Sequence, residues 1–194
     1  YLLNGNVRAV FSLPGRIAQK LYPDASIRVA GYETAYAPNS KDAVVTNVPF
    51  GKVAPIDPRL DKTLRNKLGG AYNLHNYFIV KGLLELRPGG IGAFITSSAT
   101  LDSKNGKARE YIASMGVDLV GAIRLPNHTF KGNAGTEVTA DILFFRKRLP
   151  GEVSNGVQFV GLTQIGEGTN EAYVEKPGYW SPVKEVVKVP LVIN

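Results

Sequence analysis

The sequence predicts an α/β protein built on a mostly parallel sheet. Runs of strand length, rich in apolar and β-branched residues, recur at 7–11, 26–30, 43–46, 91–96 and 117–125. Stretches of helical spacing lie between several of them, at 15–21, 73–86 and 103–115. Strands that alternate with helices place those helices on the faces of a parallel sheet. The last two strand-like runs, 117–125 and 138–146, are joined by a loop without a helix, which suits an antiparallel hairpin at the sheet edge.

Residues 1–14 carry little pattern beyond a short strand at Val7–Phe11. Gly15–Leu21 is a short helix stopped near Pro23, and Ser26–Ala30 a strand. Gly31–Lys41 is a loop holding Tyr32, Glu33 and Tyr36. Ala43–Thr46 is a buried strand that runs into Asn47-Val48-Pro49-Phe50. Lys52–Gly70 reads as a long polar loop, in which Lys52, Arg59, Lys62, Arg65 and Lys67 outnumber Asp57 and Asp61. Loops of that length are usually functional or disordered, and its positive charge suits phosphate contacts, which position a nucleic acid without reading its sequence.

Asn73 caps the next helix, whose apolar face is Leu74, Tyr77, Phe78, Val80, Leu83 and Leu84, and Arg87-Pro88-Gly89-Gly90 stops it. Ile91–Thr96 is a buried strand ending at Ser97-Ser98. Ser103 is placed to cap a further helix with Ala108, Tyr111, Ile112 and Met115 at helical spacing. Val117–Leu125 and Val138–Arg146 are strands flanking a loop, Pro126–Gly135, with Gly135-Thr136 shaping the hairpin. Beyond Arg148 the pattern weakens to one short strand at Gly156–Leu162 and a stretch with Pro177, Pro182 and Pro190. Two units are therefore expected: an α/β domain over 1–148 and a loop-rich extension over 149–194.

Composition narrows the chemistry. Among 194 residues there is no cysteine, which excludes disulfides, thiolate metal ligands and cysteine nucleophiles. The two histidines, His75 and His128, lie far apart and suit core or surface roles. No apolar run reaches the length of a membrane span. The formal net charge of +7 favours a polyanionic partner. The chain starts at Tyr1 and ends at Ile193-Asn194, which suggests a fragment of something longer.

The sharpest signal is Asn47-Val48-Pro49-Phe50 at the end of a buried strand, the place where open α/β sheets bind ligands. Asn47 offers a carboxamide oxygen. Pro49 keeps Val48 extended, which fixes the direction of its carbonyl. Phe50 offers a flat apolar face. Two acceptors beside an aromatic plate suit a planar ring bearing an amino group, such as a flipped nucleobase.

The tetrapeptide resembles the catalytic motif of amino-methyltransferases, usually Asn or Asp, Pro, Pro, then Tyr or Phe. With TNVPFG at 46–51, the runs at 74–102 and 121–148, and more loosely 15–25, the chain is similar to DNA adenine-N6 methyltransferases. The branch is that of phage and plasmid methylases and methylase-helicases, related to type I modification subunits. The resemblance implies a Rossmann-like S-adenosylmethionine-dependent fold and S-adenosyl-L-methionine as cofactor. It also implies DNA as partner, no metal, no membrane, and a bacterial or phage-encoded protein of the cytoplasm. Asn47 and the Val48 carbonyl would accept from the adenine amino group, Pro49 would hold the turn and Phe50 would stack on the base. Glu33 matches an acidic position near the cofactor's adenine.

The chain departs from the pattern at its N-terminal side. Val48 stands where the family has its first proline, tolerable because the group needed there is a carbonyl. The family's first strand and glycine-rich loop are missing, and its ribose-binding acidic positions fall near Ala9 and Phe11. A second chain or a missing segment is therefore expected to complete the sheet. The rival reading is a non-catalytic nucleic-acid-binding or subunit-interaction module that keeps the base pocket. Methylation of another amide, such as a glutamine side chain, fits the basic charge less well.

Overall fold

The computed structural model describes residues 6–9, 12–49, 51, 53, 55–125, 139–161, 164–165 and 172–173. Among these, β1 (Asn6–Ala9), α1 (Ser12–Leu21) and β2 (Ser26–Val29) form a strand–helix–strand unit whose strands pair in parallel, Asn6 with Ser26 through Ala9 with Val29. A 3₁₀ turn at Tyr32–Thr34 follows, then β3 (Lys41–Asn47), α2 (Asp61–Leu68), a second 3₁₀ turn at Gly69–Ala71 and α3 (Leu74–Glu85). The chain continues through β4 (Leu86–Ser97), α4 (Ala99–Asp102), α5 (Lys107–Ser114), β5 (Val117–Arg124) and β6 (Ala140–Lys147). Two short antiparallel strands, β7 (Gln164–Ile165) and β8 (Ala172–Tyr173), come last.

The main sheet has the order β3-β4-β6-β5. β3 and β4 are parallel, and β6 runs antiparallel to both β4 and β5. The expected hairpin is present, but its return strand β6 lies inside the sheet, between β4 and β5. All strands of this sheet except β6 therefore run the same way. The pair β1–β2 forms a separate sheet among the described residues.

Helices α3 and α5 cover one face of the main sheet, with α2 beside α5. The core they enclose includes Leu64, Leu68, Ile79, Leu83, Phe94, Leu119, Leu143 and Phe145, all fully buried. α3 sits close because Gly82 faces the sheet: a side-chain carbon there would stand 3.0 Å from Phe94 Cε1 and 3.1 Å from Val44 Cγ1. The opposite face is less covered, with Val45 and Ile91 40% and 52% exposed.

Several expectations need correction. Lys52–Gly70 is not one long loop, because α2 and a 3₁₀ turn occupy 61–71. Leu60, Leu64 and Leu68 recur every fourth residue and bury one stripe, which outweighs the polar composition. Ser103 does not cap the start of α5; it is the C-cap of α4, its N–H donating to the Ala99 carbonyl. Gly106 precedes α5, with Asn105 Oδ1 accepting from Lys107 N at 3.2 Å. Met115 falls just past the last turn of α5. Of the strand expected at Gly156–Leu162, the described residues 156–161 show only an isolated bridge, Leu119 with Val157, and Leu162 lies outside the described residues. Pro88-Gly89-Gly90 ends α3 but lies within β4, where the pairing with β3 shifts register between Lys41 and Ala43. Asn73 caps α3 as expected, accepting from Asn76 N at 3.0 Å.

Candidate active site at the ends of the parallel strands

The site is built where β3 and β4 end side by side. Asn47, the last residue of β3, is in register with Ile95. The Val48 N–H continues the ladder, donating to the Ile95 carbonyl at 2.9 Å, and the Val48 side chain is 2% exposed. One side chain in the core and one hydrogen bond to β4 clamp the residue whose carbonyl the sequence singles out. Among the described residues, neither the Asn47 carboxamide nor the Val48 carbonyl is engaged in a hydrogen bond. The Asn47 carboxamide stands at the strand end beside Pro49, both residues exposed, while Val48 between them is buried. Phe50 and Lys52 lie outside the described residues. Gly51 meets the start of α3, where a side-chain carbon on it would stand 3.4 Å from Leu74 Cδ2.

The segment after this turn is tied down from below by α3. Asp57 and Lys81 are fully buried and paired, Nζ to Oδ2 at 2.8 Å. The Lys81 ammonium also donates to the Tyr32 carbonyl at 2.7 Å and the Tyr77 hydroxyl at 3.2 Å. It lies 4.7 Å from the centre of the Tyr32 ring. Tyr77 donates to Asp57 Oδ2 at 2.7 Å. Burial alone would raise the Asp57 carboxyl, but Lys81, Tyr77 and the Arg59 N–H together hold it below the usual carboxylate range. The Tyr77 hydroxyl is pushed far up, by burial first and by Asp57 next. One lysine on α3 thus joins the turn carrying Glu33 to the segment following Pro49. This cluster went unread in the sequence, although Lys81 stands four residues after Tyr77 within an otherwise apolar helix face.

Glu33 lies in the 3₁₀ turn beyond the C-terminal end of β2 and is exposed. Its carboxylate folds back over Gly31, where a side-chain carbon would stand only 2.1 Å from Oε1. Its carbonyl accepts from Arg59 Nη1 at 2.8 Å. Arg65 pairs with Asp61 at 2.8 Å and lies over the Tyr72 ring at 5.0 Å. Of the five cations expected to meet phosphates, Arg59 and Arg65 are therefore engaged within the protein, and Lys62 and Lys67 are exposed.

At the end of β4, the Ser98 N–H donates to the Thr139 carbonyl at 3.1 Å, and Ser98 leads into α4. Arg124 donates to both carboxylate oxygens of buried Asp141, at 2.8 and 3.0 Å, and to Asp102 at 2.8 Å. That network fastens α4 to β5 and β6 at the same edge. Gly135-Thr136 and His128 lie outside the described residues. His75 is buried, which pushes its pKa down, and it serves as a core residue.

The profile of N-6 DNA methylases matches residues 22–174. The chain belongs to the N-6 DNA methylase family. Over 154 residues it is 31% identical to the defense against restriction protein B of Escherichia phage P1, covering 78% of this chain and 6% of that protein. Among solved structures, it is similar to a modification subunit of a putative type I restriction enzyme from Vibrio vulnificus YJ016. That match has a TM-score of 0.59 and 18% identity, over 73% of this chain and 32% of the other. A putative class I S-adenosylmethionine-dependent methyltransferase from Listeria monocytogenes matches with a TM-score of 0.60 and 20% identity, over 80% of this chain and 47% of the other. The chain thus spans a small part of its phage relative and less than half of these solved chains. Its Rossmann-like fold is that of the class I methyltransferases.

The residues of this N-6 methylase chain fit the family's cofactor only in part. Glu33 supplies one exposed carboxylate at a strand end. Of the two places near which the ribose-binding acid was expected by spacing, Ala9 ends β1 and is not acidic, and Phe11 lies outside the described residues. Among the described residues no helix is long and apolar enough to cross a membrane, and no group of three or more His, Asp or Glu side chains is placed to hold a metal ion.

Proposed function

We propose that this chain carries the base-binding half of an S-adenosylmethionine-dependent DNA adenine-N6 methyltransferase. The observation that supports it most is the pair of unengaged acceptors at the end of β3, the Asn47 carboxamide and the clamped Val48 carbonyl. An extruded adenine needs two acceptors for its amino hydrogens, and Phe50, two residues after Val48, would offer a ring to stack on it. As the nitrogen gains positive charge during methyl transfer, acceptors fixed in advance stabilise it. The rigidity of Val48, bonded to Ile95 and buried, keeps the reorganisation small. S-adenosyl-L-methionine, held with the help of Glu33, would supply the methyl group. DNA is the partner, engaged inside a bacterial or phage-infected cell, and no metal enters the proposal. We keep 1–148 as the methyltransferase-like unit and 149–194 as an extension.

A second reading, a binding or interaction module without catalysis, draws on a specific observation. The β1–β2 pair and the main sheet are separate among the described residues. Helix α1 leaves Leu13, Ile17 and Leu21, spaced every fourth residue, 68%, 50% and 66% exposed. Another strand, from a second chain or another segment, would join the two sheets and cover that stripe. Calorimetric titration of the folded chain with S-adenosylhomocysteine separates the readings. A micromolar dissociation constant, about −8 kcal/mol, supports an enzyme with its own cofactor site. No heat at millimolar ligand would leave the binding module as the reading for this chain alone.

A further inference from the structure

Beyond the turn at Asn47, the same end of the molecule carries a second surface. The segment 103–107 follows β4 and α4, and Gly69-Gly70 precedes α3, so both lie on the strand-end side. They meet there: a side-chain carbon on Gly69 would stand 3.2 Å from Lys107 Nζ, and one on Gly70 3.4 Å from Asn105 Nδ2. Lys67, in the last turn of α2, is the neighbouring cation. Lys67 and the Lys107 ammonium are exposed and form no ion pair or hydrogen bond among the described residues.

The charge beneath this surface is positive as well. Arg109, 2% exposed, is bonded to backbone carbonyls, those of Ser103 at 2.8 Å, Val160 at 3.2 Å and Thr100 at 3.4 Å. A buried guanidinium held by neutral groups keeps its charge unneutralised by direct contact, and a low-dielectric surrounding screens it weakly. The nearby carboxylates are mostly spent on other cations: Asp57 on Lys81, Asp61 on Arg65 and Asp102 on Arg124, each at 2.8 Å. Glu110 is one exception, with Oε1 3.2 Å from where a side-chain carbon on Gly106 would stand, and Asp102 shares Arg124 with Asp141, which leaves one further negative charge. Two carboxylates against Lys67, Lys107 and Arg109 leave a surplus of positive charge.

We infer that Lys107, whose ammonium lies against Gly69, and Lys67, two residues before that glycine, form with buried Arg109 of the same strand-end side a phosphate-contacting surface for the DNA strand whose base enters at Asn47. This rests on the DNA reading of the site, and it moves the contacts away from Arg59 and Arg65, whose guanidiniums are engaged. Backbone contacts of this kind set position and contribute uniformly across sequences.

The test is the salt dependence of binding to a labelled 30-base-pair duplex, followed by fluorescence anisotropy. Each phosphate contact contributes about 0.9 to the slope of log K against log salt. Lys67→Ser with Lys107→Ser is expected to lower the slope by about 1.8. Lys20→Ser with Arg28→Ser, on α1 and β2, removes the same charge and is expected to leave the slope unchanged. Lys107→Arg should keep the wild-type slope. Equal slopes for wild type and the Lys67/Lys107 variant, or an equal drop in the control pair, would overturn this surface while leaving the methyltransferase reading in place. No binding by the wild-type chain at low salt would overturn both.

Discussion

Replacing Lys81 by Met isolates what the buried ion pair does. The Lys81 ammonium donates to Asp57, Tyr32 and Tyr77 at 2.8, 2.7 and 3.2 Å, and both charged side chains are fully buried. Met fills similar volume but leaves the Asp57 carboxylate with only Tyr77 and the Arg59 N–H. Removing one partner of a buried pair destabilises by about 3–5 kcal/mol, a large share of the roughly 5–15 kcal/mol of a typical domain. Urea unfolding followed by circular dichroism should show it. With a slope of about 2 kcal/mol/M, the midpoint should fall by about 1.5–2.5 M. The pH dependence carries a second signature. In the wild type the Asp57 carboxyl is held low, so its stabilisation is present above about pH 4 and lost as pH falls through the folded value. In Lys81→Met the buried carboxyl would titrate above its unfolded value, so the penalty should shrink from pH 8 towards pH 5. Adding Asp57→Asn to Lys81→Met should recover part of the loss at pH 8. A penalty under about 1 kcal/mol that does not change with pH would refute the role assigned to the pair.

Other perturbations follow from the packing. Leu64→Ala, on the stripe that makes 61–68 a helix, should destabilise by about 2–5 kcal/mol in the same unfolding assay. Gly82→Ala forces a methyl against Phe94 and Val44, and should destabilise by about 1–3 kcal/mol through overpacking. Asp118, 2% exposed, accepts from Arg148 Nη1 at 2.5 Å and Ser154 Oγ at 2.7 Å. Burial alone would raise its carboxyl, yet these donors hold it low, so its stabilisation exists above about pH 4 and disappears below. Asp118→Asn should therefore lose stability at pH 7 and show a shallower decline between pH 4 and pH 2, measured by thermal unfolding across pH.

Periodicity made most of this fold legible. The strands at 26–30, 43–46, 117–125 and 138–146 stand within about two residues of their expected bounds, because β-branched runs between helical stretches leave little choice, whereas β4 holds 91–96 but begins five residues earlier, at Leu86. The stripe of Leu60, Leu64 and Leu68 was hidden by the lysines and arginines around it, since composition over a long window blurs a narrow apolar face. The place of β6 inside the sheet was not readable, because a short connection tells that two strands pair but not which further neighbour each takes. The chemistry expected of the turn at Asn47 is local, an amide, a carbonyl set by proline and an aromatic ring; the structure places Asn47 to Pro49 at the end of β3, and Phe50 lies outside the described residues. The Lys81–Asp57 pair was not legible, since it joins residues 24 positions apart that only the fold brings together.

The most direct test of the adenine reading is mass spectrometry of the nucleosides from DNA incubated with this chain and methyl-labelled S-adenosylmethionine. Labelled N6-methyl-2′-deoxyadenosine from the wild-type chain, falling by about two orders of magnitude or more in Asn47→Ala of unchanged thermal stability, is the expected result. Label on cytosine, or equal N6-methyl-2′-deoxyadenosine from wild type and Asn47→Ala, would contradict the role given to the acceptors at the end of β3.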